Sequence, residues 1–226
     1  MNTNLSNPIN TLIVSDIHLG TCVSQKDKFL KVLDLDFKTL IINGDLFDNY
    51  SFHRYDKKDW RILSKIRKLT KTHSVVLVHG NHDENCEFIT GVTGMYLVEN
   101  HKMIINNRSF YLEHGHQYDK WTSERPLITW FFTGLYYWFQ KIDPSHTLTR
   151  HIKRLSKSWI RAKDLVRSKF VLKHQKTADI LIAGHTHYPE IRHFAKCTYI
   201  NTGSFCDEVC SYCIIDDYGD FELVYI

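Results

Sequence analysis

The sequence has no apolar run long enough to cross a bilayer, which takes roughly 20 such residues; its longest aromatic-aliphatic stretch, residues 127–139, falls short. It also lacks a basic-then-apolar leader, opening instead on Met1-Asn2-Thr3-Asn4, so no signal peptide is expected. Without export, the 6 cysteines are expected as reduced thiols and not as a disulfide framework. Cys206, Cys210 and Cys213 have a spacing that can hold an iron–sulfur cluster. Residues 209–215, however, alternate like a strand, which sends Cys210 and Cys213 to opposite faces, so packing as small hydrophobes is the favoured reading. What remains is a chain of 226 residues and net charge +4, sized for one large domain or one domain that carries an insertion, and expected in the cytoplasm.

What the chain does have is a repeated pairing of short apolar runs with Gly, Asp, Asn and His. Residues 41–48 read Ile-Ile-Asn-Gly-Asp-Leu-Phe-Asp, a β-type run that ends at Gly44 and Asp45. Asp16-Ile17-His18 lies upstream; Gly80-Asn81-His82-Asp83, His114-Gly115-His116 and Gly184-His185-Thr186-His187 lie downstream. In open α/β sheets ligands bind beyond the carboxyl ends of strands, so these clusters are expected to gather along one sheet edge. Strands are predicted at 11–15, 40–43 and 74–78, with helices around Phe29–Leu33 and from Trp60 to Leu69, giving the β-α-β-α-β order of a parallel sheet. Further strands at 102–105, 108–112 and 179–183 predict a second sheet packed on the first, with Asn106-Asn107 turning a hairpin. The tail, 199–201, 212–215 and 221–225, reads as a β-meander whose last turn is Asp217-Tyr218-Gly219-Asp220.

Residues 121–177 differ in character. Trp130, Phe131, Phe132, Tyr136, Tyr137, Trp138 and Phe139 crowd together, and Leu148, Ile152, Leu155, Trp159, Ala162, Val166 and Phe170 follow at helical spacing. Residues 141–176 hold eleven Lys and Arg against Asp143 and Asp164, so this +9 segment leaves −5 for the rest of a +4 chain. The apolar stripe is explained by packing on the main domain. The one-signed charge is not, because a merely solvated helix mixes signs; an anionic partner is expected, whether phosphorylated substrate, nucleic acid or anionic lipid.

Carboxylate, imidazole and amide oxygen together suit borderline divalent ions such as Mn²⁺, Fe²⁺ or Zn²⁺, and the absence of a placed thiolate argues against a purely structural zinc. Asp45 is the natural bridge between two ions, with Asp16, His18 and His187 on one and Asn81, His114 and His185 on the other. Two cations about 3.5–4 Å apart can hold a hydroxide and bind phosphoryl oxygens, which prepares an in-line attack on phosphorus. Singly, most histidines are hydrogen-bonded core or surface residues, and His53, His73, His101, His146, His151, His174 and His193 are set aside on that ground.

Asp16-x-His18, Gly44-Asp45-x-x-Asp48, Gly80-Asn81-His82-Asp83, His114-Gly115-His116 and Gly184-His185-x-His187, in this order, resemble the calcineurin-like metallophosphoesterases. The resemblance implies a four-layer α/β/β/α sandwich and a dinuclear site. It implies that His82 stabilises charge on phosphorus or protonates the leaving oxygen, that Asp83 orients the His82 ring, that His116 touches phosphate or supports the site, and that Asp48 supports the site without binding metal. Within the superfamily, the insertion and Asn201-Thr202-Gly203-Ser204 are similar to the UDP-2,3-diacylglucosamine pyrophosphohydrolases of lipid A synthesis, whose insertion is a lid that takes up acyl chains at the membrane. His82 and His116 depart from that family toward the general phosphoesterase pattern.

The expectation is a single metallophosphoesterase domain over 1–226 with a helical insertion at 121–177. It would carry two divalent ions, with Mn²⁺ favoured, and hydrolyse a lipid-linked nucleotide diphosphate. The alternatives are a phosphodiesterase or phosphatase acting on soluble nucleotides or nucleic acid, and a non-catalytic binding module. The insertion would bring peripheral contact with anionic membrane, and no partner protein is predicted.

Overall fold

A computed structural model describes residues 7–83, 86–119 and 157–226. The chain divides into two units, one made of Met1–His114 and His174–Ile226 and the other of Gly115–Lys173.

The first unit is built on two sheets. Its first sheet has the order β11-β10-β1-β2-β3-β4, from β1 (Ile9–Val14), β2 (Phe37–Asn43), β3 (Ser74–Val78), β4 (Tyr96–Val98), β10 (Ser211–Asp216) and β11 (Phe221–Tyr225). Strands β1 to β4 are parallel, while β10 and β11 run antiparallel. The second sheet, β5-β6-β7-β9-β8, joins β5 (His101–Ile105), β6 (Arg108–Leu112), β7 (Ile180–Ala183), β8 (Glu190–His193) and β9 (Thr198–Asn201), with β6, β7 and β9 parallel.

Period-two alternation sorts the side chains between two cores. Leu12, Val14, Leu40, Ile42, Val75 and Leu77 face helices α1 (Lys26–Val32), α2 (Lys57–Leu69) and α3 (Glu87–Thr93). Ile13, Ile41, Val76 and Val78 face the other way and meet Phe110, Leu112, Ile180, Ile182 and Ile200 of the second sheet. Each such side chain contributes about 1.5–3 kcal/mol by leaving water, so the two cores fix the strands that carry the polar clusters. Cys210 belongs to the first core and Cys213 to the second, on opposite faces as the alternation predicts, and all six cysteines are free.

Two further devices hold the site-bearing loops. Asp56 caps α2 by accepting from Lys58 N and Asp59 N, and the Asp59 carboxylate accepts from Asp56 N, a capping box of the kind whose loss costs about 1 kcal/mol. Lys26, buried, donates to Asp56 at 2.9 Å and to Asp59 at 2.6 Å, and Asp59 also takes the Gly20 amide. This network ties α1 and α2 to the loop that follows β1.

In the second unit, α4 (Lys157–His174), which ends one residue beyond it, buries Val166 and Phe170, and the Phe170 ring packs edge-on against Tyr118 at 5.5 Å. The aromatic stretch 130–139 and the stripe positions Leu148, Ile152 and Leu155 lie outside the described residues, as do His146 and His151. Among the described residues no helix is long and apolar enough to cross a membrane.

Two expectations change. The tail is not one meander: β9 joins the second sheet beside β7, while β10 pairs with β1 and only β10–β11 is a simple hairpin. The polar clusters do not share one sheet edge either, since they follow β1, β2 and β3 in the first sheet and β6 and β7 in the second.

Candidate metal centre

The loops after β1 and β2 keep pairing beyond their strands. Asp16 N donates to Gly44 O, His18 N to Asp45 O and Leu19 N to Leu46 O, all within 3.0 Å, so the two loops travel together and present Asp16, His18 and Asp45 side by side. In the second sheet the loops after β6 and β7 do the same, where Gly184 N donates to His114 O at 3.0 Å. Gly44 is required by its surroundings: its φ is +88°, and a Cβ there would lie 2.2 Å from His114 Nδ1.

Three side-chain groups converge, each with its candidate ligand atoms within 4.8 Å of one another: Asp16, His18 and His187; Asp45, His114 and His185; and His18, Asp48 and His82. Asn81 joins the second group through its Oδ1, which is 3.1 Å from His185 Nδ1. His187 Nε2 is 3.1 Å from Asp16 Oδ1, and His18 Nε2 is 3.4 Å from His187 Nε2. One oxygen, Asp45 Oδ2, lies 3.3 Å from His114 Nε2 and 3.6 Å from His18 Nε2, and so faces both of the first two groups. Backbone amides fix the carboxylates from behind: His185 N donates to Asp16 Oδ2 at 3.0 Å and His82 N to Asp45 Oδ1 at 2.9 Å.

The backbone is strained where these side chains converge. Asp16, His18, Asp45, His185 and His187 all have positive φ, and the other described non-glycine residues that share it are the hairpin pair Asn106 and Asn107. Such conformations cost about 1–3 kcal/mol each and cluster at ligand clamps. Five of them at one place make the strain part of how the side chains are aimed.

The electrostatics match a cation site. Burial alone would raise the Asp16 carboxyl, but His187 and His114 outweigh it and bring its pKa down to about 2. Asp45 is likewise held well below the usual range, against its burial, by His114 and then His18. For His114 burial works downward, yet Asp45 and Asp16 raise it to about 10; for His18 burial prevails over Asp45 and lowers it to about 4. In the metal-free protein a proton on His114 therefore stands in for missing positive charge. Two anionic carboxylates, fully or nearly fully buried, need cations. Among the described residues, moreover, buried Asp16 Oδ1 accepts no hydrogen bond and has the His187 ring nitrogen, 3.1 Å away, facing it as an ion-pair partner. The donor set of carboxylate, imidazole and amide oxygen fits divalent ions of the Mn²⁺, Fe²⁺ and Zn²⁺ kind.

Supporting residues are partly as expected and partly not. His114 Nδ1 donates to Asn43 O at 2.8 Å, which points Nε2 at Asp45. Asp48 holds His18 Nδ1 at 3.8 Å through its carboxylate and accepts from His82 Nδ1 at 3.0 Å through its carbonyl. Asp83 does not orient the His82 ring. Its carboxylate accepts from Asp45 N at 2.7 Å, Gly80 N at 3.1 Å and Phe47 N at 3.2 Å, so it buttresses the Asp45 turn, because three backbone donors converge where it points. Burial and the Asp45 charge push it up to about 7. Burial lowers His82, but Asp45 and the Asp48 carbonyl outweigh it and leave its pKa raised.

His116 lies in the second unit, in the 3-10 turn His116–Tyr118. Arg54, at the end of the 3-10 turn Phe52–Arg54 and with its Nη1 3.0 Å from Asp48 Oδ2, was not anticipated, because an isolated arginine carries no sequence signal. Of the histidines set aside, His174 is a buried core residue that stacks on Tyr111 and pairs with Glu113 at 3.2 Å.

The sequence model of the calcineurin-like phosphoesterases matches residues 9–189, well over half of the chain. Among solved structures the chain is similar to a single-mutant Vps29 from Entamoeba histolytica, with TM-score 0.51 and 19% identity over 96% of this chain and 97% of that one. It is similar to an archaeal phosphodiesterase, with TM-score 0.50 and 17% identity over 96% and 99%. It is also similar to YfcE, a phosphoesterase from E. coli, with TM-score 0.52 and 15% identity over 95% and 97%. At these identities the likeness shows the fold alone. No curated protein matches the sequence. Five polar clusters at the ends of five strands, in the order and fold described, agree with the match of the family model, and the chain belongs to the calcineurin-like phosphoesterases.

Proposed function

We propose that the protein hydrolyses phosphoesters with two divalent metal ions held between its two sheets. The observation that carries this reading is Asp45 Oδ2, a single buried carboxylate oxygen that faces both the Asp16–His18–His187 group and the Asn81–His114–His185 group. In this reading each group would hold one ion, with Asp45 placed to serve both. Bound there, the ions supply Lewis-acid charge to the phosphoryl oxygens and to an attacking water.

The remaining work falls to the protein. His82 is fixed by its Nδ1 donating to Asp48 O, which leaves Nε2 for substrate, and its raised pKa keeps it protonated at a higher pH than an ordinary histidine. A protonated Nε2 can stabilise charge on a phosphoryl oxygen or donate to the leaving oxygen. Asp83 keeps the Asp45 turn in place, and Asp48 holds both His18 and His82.

A narrower reading, hydrolysis of UDP-2,3-diacylglucosamine at a membrane with residues 121–177 as an acyl-binding lid, is supported by the aromatic and basic composition of that segment and by the Asn201-Thr202-Gly203-Ser204 resemblance. A substrate panel separates the two. With Mn²⁺, bis-p-nitrophenyl phosphate should be hydrolysed and a chelator should abolish the reaction. A strong preference for UDP-2,3-diacylglucosamine over cyclic nucleotides and oligonucleotides supports the narrower reading. No turnover of any member with Mn²⁺, Fe²⁺ or Zn²⁺ contradicts the enzyme reading and leaves a binding module.

A further inference from the structure

The outer surface of the helical layer carries charge and apolar area that the metal centre does not use. Helices α2 and α3 lie side by side, joined where Thr70 Oγ1 donates to Thr93 O at 2.8 Å. On its other side α2 meets α1, through Lys58 to Asp27 and Lys65 to Asp34. Between these flanks the exposed side of α2 and its following turn bears Lys57, Arg61, Arg67, Lys68 and Lys71. Lys57, Arg61, Lys68 and Lys71 are spaced four, seven and three residues apart, a row about 20 Å long at 1.5 Å per residue. Among the described residues none of these five forms an ion pair, whereas the flanking Lys58 and Lys65 both do. The acids of α2 and its surrounding described elements are Asp27, Asp34, Asp56 and Asp59, which are engaged, Asp36 before β2, Glu87 of α3, and Glu99 after β4.

Beside this row stand apolar side chains that a monomer in water would bury. Phe88 is 75% exposed and Val92 57%, one turn apart on α3, and Trp60 on α2 is 50% exposed. A Cβ at Gly91, between Phe88 and Val92, would meet nothing within 4 Å, so this side of α3 opens directly to solvent.

We propose that the outer face of α2 and α3 docks the protein on an anionic lipid surface, with the α2 cations on the headgroups and Phe88 and Val92 at the acyl boundary. Cations near an anionic leaflet and apolar side chains inserted below it are the two attractions such a surface offers, and this face supplies both. A second copy of the chain would bring the same five cations against their equals, which a symmetric contact penalises. A nucleic acid would use the cations for its phosphates and leave Phe88 and Val92 in water, because it is read by charge and ring stacking. The proposal concerns a surface apart from the metal centre and does not depend on the reaction assigned there.

The test uses the full chain in a vesicle flotation assay, comparing phosphatidylcholine with a phosphatidylcholine and phosphatidylglycerol mixture over a range of salt. Wild-type protein should bind the anionic vesicles at least about tenfold more tightly than the neutral ones. Arg61→Glu with Lys68→Glu should remove most of that binding and its salt dependence, while Phe88→Ser with Val92→Ser should weaken it at every salt concentration. Both variants change exposed side chains only, so melting temperature and hydrolysis of bis-p-nitrophenyl phosphate should stay at the wild-type level. Equal binding to neutral vesicles, absence of vesicle binding, or wild-type vesicle binding by both variants overturns the proposal. Binding of a DNA duplex that Arg61→Glu with Lys68→Glu abolishes, with no vesicle binding, overturns it in favour of nucleic acid.

Discussion

His82 and Asp83 are neighbours in the chain whose side chains act in opposite directions. His82 is held by a carbonyl and carries a raised pKa beside Asp45, whereas Asp83 turns inward to collect the amides of Asp45, Phe47 and Gly80. His82 clusters with His18 and Asp48 but is not among the seven residues assigned to the two ions, so His82→Ala should retain its ions and lose turnover by about 10²–10⁴, the range of one positioned acid–base group. Metal analysis beside a rate measurement on a poor leaving group checks this; near wild-type turnover removes His82 from the chemistry. His114 bears on stability. Its folded pKa of about 10 lies above the ordinary value of 6.5, so the stability it contributes is complete below about pH 6.5 and is lost as pH rises toward 10. Metal-free protein should therefore melt at progressively lower temperature between pH 7 and 9, and His114→Gln should flatten that slope. With metal the trend in affinity is the reverse, because an ion must displace the His114 proton and binds better as pH rises. The histidines and carboxylates were legible in the sequence because they cluster with one another, and mostly with glycine, at the ends of apolar runs. The partner of Asp83 was not, since it is three backbone amides from two loops, and backbone donors carry no sequence signature.

At the level of elements, β1, β2, β3, β6 and β7 were readable for one physical reason: a buried parallel strand needs a continuous apolar run, and the polar residue that ends it is conspicuous. The hairpin at Asn106 and Asn107 was readable too, and both residues have the positive φ that such a turn demands. Strands β4 and β8 were missed. β4 has three residues, and β8, Glu190–His193, is a half-exposed edge strand with little apolar content to alternate. Helix α3 was missed because Glu87–Thr93 is seven residues long and holds Gly91 and four β-branched residues, none of which favours helix. Sheet membership of the tail was not legible at all, since adjacency in sequence does not say which sheet a strand will join. The strand-end glycines, in contrast, have a structural reason that the sequence only hinted at. At Gly44 a methyl group would meet the His114 ring and would have to adopt a φ of +88°. Gly44→Ala should therefore destabilise the fold by several kcal/mol, on the order of an overpacked core site combined with backbone strain. It should also weaken binding of the ion assigned to His114 more than that of the ion assigned to Asp16. A metal titration followed by thermal melting checks both; unchanged stability contradicts the close approach of His114 to this turn.

At the scale of the molecule, two sheets place the carboxyl ends of their parallel strands opposite each other, and every candidate ligand stands at one of those ends. The geometry explains why Asp45, at the end of β2 in the middle of the first sheet, reaches histidines that arrive from both sheets. It also explains why the strained backbone positions gather there: aiming side chains from loops of two sheets at one point leaves few ordinary conformations. The family and fold class were legible from five clusters in order. The pairing of clusters across two sheets was not, because that depends on strand order. The most direct measurement of the central claim is the metal content of protein reconstituted with Mn²⁺ and freed of excess ion, for the native sequence and for Asp45→Asn. About two equivalents per chain in the first and loss of bound metal in the second are expected, as for a pair of ions sharing one carboxylate. Near-zero content in the native protein, or two equivalents retained by Asp45→Asn, contradicts the bridging role of Asp45.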